Sequence, residues 1–202
     1  MTLARSIIGL TLGALTVLSS AETIRAQDLH PSRRPSPVGI AKAHLGDTYV
    51  KITYSRPYVR NRDVFGDPAD GNTYLVPFGE LWRTGANEAT ELTTTGPILV
   101  GGERLESGTY SVFTVPGATT WTVRLNTRLG MDGTGRLDPV SGEFMETYSA
   151  AEDVLTVEVP SRSLSEDVDQ FTIAFEPVAD PTHLVLSWAR TAIRIPVASS
   201  GR

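Results

Sequence analysis

The feature that most constrains this chain is a side-chain period of two. Residues 48–55 (TYVKITYS) place Val50, Ile52 and Tyr54 on one face and Tyr49, Lys51 and Thr53 on the other. Residues 120–126 (TWTVRLN) do the same with Trp121, Val123 and Leu125, and residues 109–115 (TYSVFTV) follow the pattern. Further candidates are 154–159 (VLTVEV), 170–176 (QFTIAFE), 182–188 (THLVLSW) and 191–197 (TAIRIPV). All are rich in Val, Ile, Thr and aromatic residues, which suit a half-buried pleated surface. Turn signals recur between them at Gly101-Gly102, Ser107-Gly108 and Pro116-Gly117. Short strands with one apolar face each pair as antiparallel sheets that bury those faces together. The expected fold is a single all-β domain, an antiparallel β-sandwich or jelly roll, over residues 43–198, with 199–202 as a tail. The only helical patch is a turn at 149–153. Two segments, 48–56 and 182–190, share a pattern ending in an aromatic, a small residue and Arg, which suggests two similar strands side by side in a sheet.

The N-terminus is read apart from the fold. Arg5 precedes an apolar run at 7–18 (IIGLTLGALTVL), and small residues follow at Ser19-Ser20-Ala21, with a second cleavage signature at Ala26-Gln27. The run is too short to span a bilayer and has the order of a secretory signal peptide. Residues 1–26 are therefore expected to be removed, leaving a periplasmic or secreted protein with no membrane insertion. Residues 27–42, with three prolines and the pair Arg33-Arg34, read as a flexible leader.

Among 202 residues there is no cysteine. That excludes disulfides, thiolate metal sites and a cysteine nucleophile, so an exported chain of this kind relies on packing. The net charge of −5 argues against a nucleic-acid binder. The charge is unevenly spread: residues 27–83 carry a net +2 and residues 84–202 a net −8. Familiar catalytic and nucleotide-binding motifs are missing, and no cofactor is expected. The acidic runs at 67–72 and 132–138 read as polar loops, since Thr134 and Arg136 stand where a calcium loop needs Asp or Asn.

Two polar blocks stand out. Residues 54–65 (YSRPYVRNRDVF) hold Arg56, Arg60, Arg62 and Asp63, and residues 77–90 (PFGELWRTGANEAT) hold Trp82, Arg83, Asn87 and Glu88. Guanidinium groups beside aromatics, an amide and carboxylates suit the grip on a carboxylate, phosphate or polyol. The same residues would also serve as an ion-pair network pinning loops to the sheet end.

These blocks carry a resemblance. Tyr54-Ser-Arg-Pro57, Asn61-Arg-Asp-Val-Phe-Gly66, Leu75-Val-Pro-Phe-Gly79, Trp82-Arg-Thr-Gly-Ala-Asn-Glu-Ala-Thr90 and Leu105-Glu-Ser-Gly-Thr-Tyr-Ser-Val-Phe-Thr-Val-Pro116 resemble the family of the domain of unknown function 2911. Trp121, the strand 170–175 and the strand ending at Trp188 are similar to it as well, so the likeness covers about residues 40–198. The loop 67–74 is longer than the family's usual link. The resemblance implies an exported bacterial protein and carries over no role for any residue.

Three functions fit these residues. The first is a binding module whose sheet end presents Arg56, Arg60, Arg62, Asp63, Trp82, Arg83, Asn87 and Glu88 to a small polar or anionic ligand or glycan. The second is a cell-envelope hydrolase, with Glu88 as acid or base, Asp63 as second carboxylate, and Arg83 and Asn87 stabilising developing negative charge. The third is a structural or partner-binding protein marked by an exposed apolar patch. They are distinguished by whether the two blocks line one pocket.

Overall fold

The computed structural model describes residues 33–138, 140–176 and 182–201. The expected signal peptide and the first part of the expected leader lie outside the described residues. Among the described residues thirteen strands run in chain order: β1 Val38–Leu45, β2 Thr48–Ser55, β3 Phe65–Gly66, β4 Val76–Pro77, β5 Thr90–Thr94, β6 Ile98–Val100, β7 Glu103–Leu105, β8 Gly108–Val115, β9 Thr120–Asn126, β10 Gly135–Leu137, β11 Phe144–Glu146, β12 Asp153–Glu176 and β13 Thr182–Ser199. Among the described residues are two short 3-10 turns, Pro68–Asp70 and Ala150–Glu152, the second falling within the patch expected at 149–153.

Nine strands form one antiparallel sheet in the order β1-β2-β5-β8-β9-β12-β13-β6-β7. It folds over on itself at β12, a strand of 24 residues. Asp153 to Pro160 pairs with β9, and Ser161 onward pairs with β13. The change of partner falls at Pro160, which has no N–H to give to a ladder. The two leaves face each other across one core. Ile52, Leu92, Val112, Val123 and Leu125 of the first leaf meet Val100, Ile173, Leu184, Leu186 and Ile195 of the second. The alternation read at β2 and β9 holds: Val50, Ile52, Tyr54, Trp121, Val123 and Leu125 are all buried.

The chain leaving β2 crosses to the free edge of β12 and ties the leaves together. The buried Tyr54 hydroxyl donates to Ile173 O at 3.1 Å and accepts from Ile173 N at 2.9 Å. Phe171 N donates to Pro57 O at 2.9 Å, and Val59 N to Asp169 O at 2.7 Å. Behind this seam Trp82, Trp121, Trp188, Phe65 and Phe171 form an aromatic cluster, with Trp82 stacked on Trp188 at 5.7 Å between centroids.

Three expectations change. The segments 154–159 and 170–176 are one strand, as are 182–188 and 191–197. The polar stretch between the first pair looks like a turn, yet its backbone continues the ladder through register shifts between Ser163, Val168 and Thr172. The similar segments 48–56 and 182–190 are not neighbours, since β2 lies between β1 and β5 while β13 lies between β12 and β6. The leader also ends sooner than residue 42, because β1 starts at Val38 and buries Ala41 and Leu45. A strand whose inward residues include alanine has too weak a pattern to be seen without its partner.

Candidate functional site

Tight backbone geometry brings the two polar blocks together. After Tyr58, the chain reverses through Arg60 and Asn61 at φ of 51° and 54°, closed by Arg62 N donating to Val59 O at 3.2 Å. Positive φ at both central residues is the geometry of a type I′ turn. The second block is anchored to β8 by a reciprocal pair, Trp82 N to Thr114 O at 2.8 Å and Thr114 N to Trp82 O at 2.9 Å. Trp82 Nε1 donates to Gly85 O at 2.9 Å, and Thr90 Oγ1 donates to Thr84 O at 2.6 Å. Gly85 is needed there, since a Cβ would lie 3.0 Å from Ser55 O. The loop is held from the far side by Ala89 N donating to Met131 O at 2.9 Å and Gly133 N to Asn87 O at 3.3 Å.

Between the blocks lies a cleft of about 340 Å³. Arg60, Arg62 and Tyr58 of the first block line it with Trp82, Arg83 and Gly85 of the second, and Trp188 joins them. Among the described residues, no Asp or Glu is in its wall. Arg62 donates to the carbonyls of Tyr58 and Val59, and Arg60 donates to Pro35 O and lies 5.9 Å from the centroid of the Tyr58 ring. Both keep further N–H groups beyond those given to these neutral carbonyls. Arg83 is half-buried, its Nε is enclosed without a hydrogen-bond acceptor, and burial pushes its pKa down, opposed by the charge of Asp132. Among the described residues, none of Arg60, Arg62 and Arg83 forms an ion pair.

The backbone around this cleft is strained. Five non-glycine residues among those described take positive φ: Arg60, Asn61, Thr84, Asn87 and Ala189. Each lines the cleft or adjoins a residue that does. Such conformations cost about 1–3 kcal/mol each and gather where function needs a particular geometry.

Four of the eight expected site residues thus meet in one cleft: Arg60, Arg62, Trp82 and Arg83. The others lie elsewhere. Arg56 turns to the β12 edge, donating to Phe171 O at 3.2 Å and Thr172 Oγ1 at 3.0 Å, so it is part of the seam between leaves. Asp63 is exposed and outside the cleft wall. Asn87 donates to Ser36 O at 3.3 Å and Ser55 Oγ at 3.1 Å. Glu88 lines a separate hollow of about 400 Å³. Both its oxygens accept from Arg34 Nη1, at 2.6 and 2.7 Å. Arg34, within the expected leader, Asp132 and Trp188 also stand at or beside these sites. No local signal marks any of them, because their partners are dozens of residues away. No cluster of metal-ligating side chains occurs among the described residues.

Fold and site together define a folded-over antiparallel β-protein with an arginine-walled cleft at the seam of its two leaves. The chain belongs to the DUF2911 family, described as a protein of unknown function, whose family model matches residues 36–197. Comparison with curated proteins and with solved structures found no match.

Proposed function

We propose that this is an exported binding module that holds a small anionic ligand in the cleft of Arg60, Arg62 and Arg83. The observation that carries the reading is that, among the described residues, none of these three guanidiniums forms an ion pair and no carboxylate lines their cleft. Arg34 and Arg128, by contrast, are matched by Glu88 and Glu152. A bound phosphate or carboxylate would supply the missing acceptor for bidentate contacts. The hydrolase reading is weaker, because Glu88 is engaged by Arg34 and lies outside the arginine cleft. Export rests on the order of charged, apolar and small residues in 1–26. Mass spectrometry of the secreted protein should find Glu22 or Gln27 at its N-terminus, and an intact Met1 would overturn it.

The binding test is calorimetric titration with inorganic phosphate. The natural protein should bind phosphate and gain thermal stability from it. Arg83→Ala should lose that response while remaining folded by circular dichroism. Phosphate-independent melting of the natural protein, or an Arg83→Ala chain that fails to fold, would refute the reading.

A further inference from the structure

We infer that the ligand is a hydroxylated anion, a sugar phosphate or sugar acid, with its charged group among the arginines and its hydroxyls in a neighbouring acidic hollow. This rests on the anion-binding reading above and extends it. The second hollow, of about 270 Å³, opens on the other side of the same wall. Leu75, Val76, Trp82 and Arg83 line both spaces, so the Arg83 side chain stands between them. Together the two fall within the usual size of small-molecule sites. Gly133 makes the close approach possible: its φ is +77°, and a Cβ there would lie 3.2 Å from Arg83 Nη1.

The polarity of the two spaces is opposite. Among the described residues, the cleft wall carries three guanidiniums and no acid, whereas the hollow carries Asp132, Glu80 and Thr134 beside Arg83. The carboxylate of Asp132 makes no hydrogen bond or ion pair with a described residue. Ionised carboxylates only accept, so the part of a ligand lying there must bring donors and must not bring a second negative charge. Hydroxyl groups meet both conditions. Phe144, 53% exposed at the rim, offers an aromatic face to the C–H side of a ring. A simple anion would use the cleft alone and leave Asp132 and Glu80 to solvent.

The experiment compares inorganic phosphate, glucose 6-phosphate and glucuronate by calorimetry against the natural protein and Asp132→Ala. Glucose 6-phosphate or glucuronate should bind about tenfold more tightly than phosphate, the worth of one or two added hydrogen bonds. Whichever of the two is tighter identifies the anionic group. In Asp132→Ala that preference should shrink to about twofold while phosphate still binds. Equal affinity for all three probes would overturn the inference and leave the anion site standing. So would a preference unchanged in Asp132→Ala. Failure of every probe to bind would overturn the anion site itself, and the inference with it.

Discussion

Replacing Arg83 with methionine should stabilise the ligand-free protein while abolishing its response to phosphate. The side chain is half-buried, its Nε has no acceptor, and no described carboxylate pairs with it. A buried donor left unsatisfied costs about 1–3 kcal/mol, and methionine removes that cost while filling much of the same space. Against this stands the loss of attraction to Asp132, which acts to raise the Arg83 pKa. Part of the guanidinium still meets solvent, so the attraction and the penalty are both muted, and a net gain of about 1 kcal/mol is expected. For a domain of this size that corresponds to a rise in Tm of about 2–4 °C. The assay is scanning calorimetry in phosphate-free buffer at low ionic strength, repeated with phosphate. In the natural protein phosphate should raise Tm; in Arg83→Met it should not. A fall of a few degrees in the ligand-free variant would refute the reasoning, since Arg83 would then be holding the fold together. Sites kept at a cost in stability are a common sign of function.

Tyr54→Phe should cost about 2–4 kcal/mol in urea unfolding, because it strands both Ile173 N–H and Ile173 C=O at the seam, each worth about 1–3 kcal/mol when buried and unpaired. A cost below about 1 kcal/mol would mean that another group satisfies them. Two carboxyls should pull the pH dependence in opposite directions. The Arg128 guanidinium lowers the Glu152 pKa below its ordinary 4.5, so its contribution is present above that value and lost as pH falls through the lower, folded one. Burial, then the charge of Glu88, raises Asp132 above 3.8, so its contribution is present below 3.8 and lost as pH rises through the raised value. Urea midpoints across acidic pH should therefore show Glu152→Gln losing less stability on acidification and Asp132→Asn losing less as pH rises; parallel profiles for both variants and the natural protein would contradict the assignments.

Much of the fold was legible because strand alternation is a local property. Val50, Ile52 and Tyr54 alternate inward along β2, and Trp121, Val123 and Leu125 along β9, and each pattern needs only its own strand. The composition of the site was legible for a similar reason: Arg60, Arg62, Trp82 and Arg83 sit in two dense blocks, and those blocks do share a cleft. What stayed hidden depends on distant partners. Strand β1 is held by pairing with β2, and the middle of β12 by its irregular ladder with β13, although neither has a strong pattern of its own.

An all-β chain, the faces that its clearest strands bury, and the arginine-rich blocks are thus written locally in the residues. How those arginines divide is a matter of the folded arrangement. Arg56 meets Phe171 and Thr172, more than a hundred residues away, and becomes part of the seam. Arg34 reaches Glu88, 54 residues on, and neutralises the carboxylate that had looked most suited to catalysis. Arg60, Arg62 and Arg83 form no ion pair with a described acid and are left facing a cleft. The physical reason is the short reach of an ion pair: which charges cancel is settled by approach to within a few ångströms, and in a sheet assembled from distant segments no local pattern records it.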